Sequence, residues 1–123
     1  MTLLPADPAR GAEERGWTAA DFTVRLAKTG EMSGTISVVG AGREVYRAGF
    51  EKTFMDGAER EPLDLHRPTE IGRPTPVAAW DLAPGTVLLL ENRSYEGVNW
   101  QAIHLTDEGA RDGGALWLYL CAF

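Results

Sequence analysis

The chain has 123 residues, 44% of them hydrophobic and 24% charged, a balance that suits one folded domain with a real core rather than a disordered polymer. Its 18 acidic residues outnumber 12 Lys plus Arg, for a formal charge of −6. That argues against a nucleic-acid partner, because no net positive field draws in a phosphate backbone. No apolar run approaches membrane-spanning length, so no membrane association is expected.

Residues 1–16 are small, charged and Pro-containing, without periodicity, and read as a flexible arm ahead of a single β domain over 17–123. The arm lacks the basic start and apolar core of a signal peptide; taken as a complete chain, that points to the cytoplasm. From Trp17 the pattern changes. In "DFTVRLAK", Phe22, Val24 and Leu26 alternate with Thr23, Arg25 and Ala27, the period of two of a half-buried strand. "EMSGTISVV" predicts a second strand, "GAG" at Gly40–Gly42 a turn, and "REVYRAGFEKTF" a third strand with a bulge or bend at Gly49. Residues 17–56 are thus expected to form an N-terminal β-meander.

Met55 to Pro76 carries Pro62, Pro68, Pro74 and Pro76 and reads as a long irregular connection, with a short extended piece at Leu63–His66. Long loops inside compact domains often carry function. Beyond it, "VAAWDL", the turn "APG", and the apolar run "TVLLLE" predict a hairpin. "NRSYEG" is a polar tip leading into the strand "VNWQAIHL". "TDEGARDGG" reads as a glycine-rich loop. "ALWLYLCAF" is apolar on both faces, which predicts a central strand or one inside a closed barrel. Its Cys121 is the one cysteine and has no Cys or His at ligand spacing, so a buried structural thiol is expected.

Several of these pieces occur in a familiar order. "LDLHRPTEIGRPTPV", "LAPGTVLLLE", "NWQAIHL" and "GGALWLYL" follow one another between Leu63 and Phe123. In that order they resemble a bacterial Src-homology-three-type domain, a small β-barrel. The resemblance covers residues 63–123 and implies recognition of a peptide or protein. A narrower likeness links "LENRSYEGVNW" to the hairpin motif of βγ-crystallins, without the downstream calcium segment.

The fold expected is all-β, a small β-barrel or sandwich of about seven to eight strands. There is no P-loop, Rossmann glycine fingerprint, GxSxG, CxxC or HExxH. His66 and His104 show no HxH or HxxxH spacing, so neither a metal nor another cofactor is expected. The residues singled out for contact are Arg67, Arg93, Tyr95, Glu96, Asn99, Trp100 and His104. An exposed Tyr beside charge is a common contact pair. The four tryptophans, Trp17, Trp80, Trp100 and Trp117, are expected to fill the core or to line a pocket. The leading functional expectation is a non-catalytic module that binds a peptide, a protein or a second copy of itself. One alternative is a barrel enclosing a small ligand, with His104 and Glu91 at the pocket mouth and enzymatic chemistry there. Another is a structural or assembly subunit.

Overall fold

Alternation of apolar and polar residues makes this chain a β protein. The computed structural model describes the backbone of residues 2–3, 13–53, 61–67, 70–94 and 97–119, and the side chains of 13–53, 61–67, 70–94 and 97–111. Among these residues there is no helix. The strands are β1 (Thr2–Leu3), β2 (Glu14–Ala19), β3 (Phe22–Lys28), β4 (Ser33–Gly40), β5 (Arg43–Glu51), β6 (Thr75–Leu82), β7 (Gly85–Arg93), β8 (Gly97–Thr106) and β9 (Gly109–Tyr119).

They build two antiparallel sheets that do not close into a barrel. One has the order β2-β3-β4-β5, the other β1-β6-β7-β8-β9. Apart from the two-residue β1, each sheet is a four-stranded meander of sequential hairpins. Of the two architectures expected, the open one is therefore realised.

The hairpins follow local chemistry. Between β4 and β5 the turn residues Ala41 and Gly42 both have positive φ, 52° and 73°, the twist that suits a two-residue hairpin loop. Gly40, inside β4, is needed for a different reason: a Cβ there would lie 2.5 Å from the Phe22 ring. The bulge of this hairpin lies elsewhere than expected. Val38 pairs with Tyr46 and Val39 with Glu44, so Val45 is the extra residue, while Gly49 sits opposite Thr35 in regular register.

Three further expectations are corrected. The strand β2 begins at Glu14 and Thr2–Leu3 pairs with β6, so these residues of the presumed arm belong to the sheets. The glycine-rich "TDEGARDGG" is mostly strand, with a turn at Asp107–Glu108. Its glycines are accommodated by an irregularity, because Gln101 pairs with Ala115 and Ile103 with Asp112, leaving Gly113 and Gly114 opposite Ala102. Finally, β9 is an edge strand rather than a central one. Cys121 lies outside the described residues.

One core joins the sheets. Trp17, Val24, Leu26, Ile36 and Val38 from the first sheet pack with Leu88, Leu90, Ile103 and Leu105 from the second. Each such side chain contributes about 1.5–3 kcal/mol on burial. Leu63 and Leu65 of the connection enter the same core without forming a strand, where a short extended piece was expected.

The connection is held by buried charge. Lys52 Nζ lies 2.8 Å from Glu70 Oε1, with the side chains 3% and 1% exposed. Glu70 also accepts the N–H groups of Asp64 at 2.7 Å and Ile71 at 2.9 Å. Burial alone would push the Glu70 carboxyl up; the Lys52 ammonium and these two N–H donors outweigh it and hold it below the usual carboxylate range. The buried Arg73 donates to the Leu65 carbonyl and to Thr75 Oγ1. Burial, reinforced by the charge of Arg15, lowers its pKa to about 10, so it remains a cation at neutral pH. Gly72 threads between the sheets. Its φ is +83°, a Cβ there would lie 2.7 Å from the Glu51 carbonyl oxygen, and its N–H donates to the Arg93 carbonyl at 3.0 Å.

Candidate functional site

The pleat of β7 and β8 sorts their side chains into two sets. Thr86, Leu88 and Leu90 face the core, opposite Leu105, Ile103 and Gln101. The alternate positions face outward, and they are largely apolar between His104 at one end and Glu91 and Arg93 at the other. Trp80, Val87 and His104 form one cross-strand row, Ala78, Leu89 and Ala102 the next, and Thr75, Glu91 and Trp100 the third. Arg93 and Val98 close the series. Trp80, Leu89 and Trp100 are partly buried, whereas Ala78, Val87 and Val98 are buried.

At one end of this strip a small network fixes the aromatic ring. Trp100 Nε1–H donates to Glu91 Oε2 at 3.2 Å, and Arg93 Nε donates to Glu91 Oε1 at 2.9 Å. One carboxylate thus orients both the indole and the guanidinium. The Arg93 side chain is 38% exposed and its ion pair uses Nε, which leaves the Nη groups for another acceptor. At the other end, His104 Nε2–H donates to the Leu82 carbonyl at 2.8 Å. Beside it opens a groove of about 400 Å³ lined by Pro84, His104, Thr106 and Arg111 among others. Leu82, 52% exposed, is the one large apolar side chain among the described residues in full contact with solvent.

The sequence-predicted residues separate in space. Arg93, Trp100 and His104 share the outer face. Asn99 does not: it falls on the inner set and accepts from Asn92 Nδ2 at 3.2 Å. Arg67 belongs to the connection, where it pairs with Glu61 at 2.9 Å; that carboxylate and the nearby Glu70 raise its pKa above the ordinary guanidinium value. Tyr95 and Glu96 lie outside the described residues. Glu91 and His104 are two rows apart, about 13 Å along the strand. Glu91 is committed to Trp100 and Arg93, so the two do not form one pocket mouth.

Trp17 fills the core, as one reading of the tryptophans anticipated, but Trp80 and Trp100 lie on the outer face. Leu89 was missed because "VLLL" reads equally well as a strand buried on both sides. A pairing register was needed to see that its alternate members point away from the core. Among the described residues no three His, Cys, Asp or Glu side chains converge as metal ligands, and no helix is long and apolar enough to cross a membrane. No protein-family model, curated protein or solved structure matches the chain.

Proposed function

We propose that the chain is a non-catalytic binding module whose contact surface is the outer face of the second sheet. The observation that carries this reading is an apolar outer face with a fixed indole, Trp100, and a partly free cation, Arg93, at its end. Only part of this strip meets solvent, since Ala78, Val87 and Val98 are buried, so the contact would be made by the half-buried Trp80, Leu89 and Trp100. The strip from Val98 to His104 spans about 20 Å at roughly 3.3 Å per residue, the length of an extended segment of about six residues.

The occupant proposed is a peptide segment of another protein. It presents apolar side chains to Trp80, Leu89 and Trp100, and a carboxylate to Arg93. Charge complementarity selects that end of the segment. Selection from a random peptide display library on the immobilised protein tests the idea. Enriched sequences should share an apolar stretch ending in Asp or Glu, and Trp100→Ala and Arg93→Ala should each weaken binding at least tenfold. The reading fails if no sequence family is enriched or if Trp100→Ala binds as tightly as the native chain. It also fails if light scattering shows that a second copy already occupies the face.

A further inference from the structure

The outer face of the first sheet carries an independent feature. Pairing register places Arg25 of β3, Ser37 of β4 and Arg47 of β5 in one row, continued by Gly16 of β2. Thr23 and Thr35 occupy the rows on either side. These residues line a cavity of about 200 Å³. Gly16 ends the row without a side chain and so leaves that side open.

The donors here are unspent. Among the described residues, neither the Arg25 guanidinium nor the hydroxyls of Thr23, Thr35 and Ser37 meet a hydrogen-bond or ion-pair partner. Arg47 is different, because it is already oriented. Its Nε donates to Glu44 Oε1 at 2.8 Å and its Nη2 to Glu44 Oε2 at 3.3 Å, leaving Nη1. Residues three apart on a regular strand point to opposite faces. The extra residue Val45 changes that parity and brings Glu44 and Arg47 to the same side. The bulge therefore lets Glu44 hold the Arg47 guanidinium on the outer face of the sheet.

Arg25 and Arg47 line the cavity beside Glu14, Arg47 being paired with Glu44, while the Arg15 guanidinium turns to the other side of the sheet, over the Trp17 ring and toward the Leu65 carbonyl. One strand, β4, separates Arg25 from Arg47, two strand spacings or about 10 Å, a gap that two long guanidinium side chains can close on an ion between them. Paired guanidinium groups over a floor of hydroxyl donors suit a tetrahedral oxyanion, which accepts several charge-assisted hydrogen bonds at once. The small volume excludes a ligand of drug size.

We propose that this cavity binds a phosphate group, either as inorganic phosphate or as the head of a small phosphomonoester. Arg25 and Arg47 hold the oxyanion from its two sides, and Ser37 donates from beneath. Thr23 and Thr35 reach it from the flanking rows. The site lies on the opposite sheet from the apolar strip and stands or falls independently of it.

Isothermal titration at low ionic strength, with inorganic phosphate and phenyl phosphate as probes and chloride as control, tests the assignment on the full chain. Saturable binding of at least one phosphate probe, at least tenfold tighter than chloride, is expected. Arg25→Gln should weaken it at least tenfold and Ser37→Ala a few-fold, while Arg111→Gln, on the other sheet, should leave it unchanged. Phenyl phosphate binding should strengthen as pH rises through about 6, where a phosphomonoester takes its second negative charge. Tighter binding of phenyl phosphate assigns the site to an ester, tighter binding of inorganic phosphate to the free ion. Binding no tighter than that of chloride, or equal losses in Arg25→Gln and Arg111→Gln, overturns the proposal.

Discussion

The two sheets have the same connectivity and opposite outer faces. Both are hairpin meanders, and both give an apolar inner face to a shared core. Outside, the first sheet shows Thr18, Thr23, Arg25, Thr35, Ser37, Glu44 and Arg47, whereas the second shows Trp80, Leu89, Trp100 and Ala102. Burial constrains only one face of an antiparallel sheet. The inner faces are alike because folding demands it. The outer faces differ because folding does not decide them, and that freedom is where function is best sought.

The largest effect is expected where the two sheets are joined. Glu70→Ala removes the carboxylate from the buried Lys52 and releases the Asp64 and Ile71 amides. Breaking such a pair typically costs about 3–5 kcal/mol, measured here as a lowered urea midpoint. The same carboxylate sets an acid limb. Its folded pKa lies below the unfolded value, so its contribution is fully present above the unfolded carboxylate range, about pH 4.3, and is lost as pH falls through the folded value. Stability measured against pH should decline on that side, and Glu70→Gln should flatten the decline. An unchanged acid limb in that variant would mean that the joint does not depend on this charge.

Two adjacent leucines separate the faces more sharply. Leu88 is fully buried against the first sheet, and Leu88→Ala should cost about 2–5 kcal/mol. Leu89 faces outward and is partly buried, so Leu89→Ser should change stability by no more than about 1 kcal/mol while weakening the selected peptides. Comparable denaturation losses at the two positions would show that the strip is covered in the native chain and would end the comparison between the faces.

The same contrast explains what the sequence disclosed. Period-two alternation made β3 and β4 legible, because one face of each is polar. In β7 both faces are apolar, so the sequence announced a strand but concealed which leucines point outward. Side-chain chemistry along the chain groups Asn99 with Trp100. One residue of offset puts them on opposite faces. The burial of Lys52, Glu70 and Arg73 arises from segments far apart in sequence and has no local signature. Arg25, Ser37 and Arg47 escaped notice for a related reason. Polar residues at alternate positions mark an ordinary wet face until cross-strand register aligns them.

The smallest effect on stability is expected on that wet face. Glu44 and Arg47 form an ion pair fully open to solvent, in which each holds the other's charged form: the Arg47 hydrogen bond lowers the Glu44 pKa and Glu44 raises that of Arg47. Exposed pairs of this kind gain little, because water screens the charges and two side chains lose freedom. Glu44→Gln and Arg47→Gln should therefore leave the thermal midpoint where it is. Their effect on phosphate should differ from this and from each other. Arg47→Gln removes a clamp and should weaken phosphate binding at least tenfold. Glu44→Gln keeps the guanidinium but loosens its aim, and should weaken binding only a few-fold. If both variants bind phosphate as the native chain does, the β5 bulge orients nothing, and the first sheet's outer face is solvated surface. If Arg47→Gln instead lowers the thermal midpoint, that face takes part in folding after all, and the division between a face that folds and a face that is free must be redrawn.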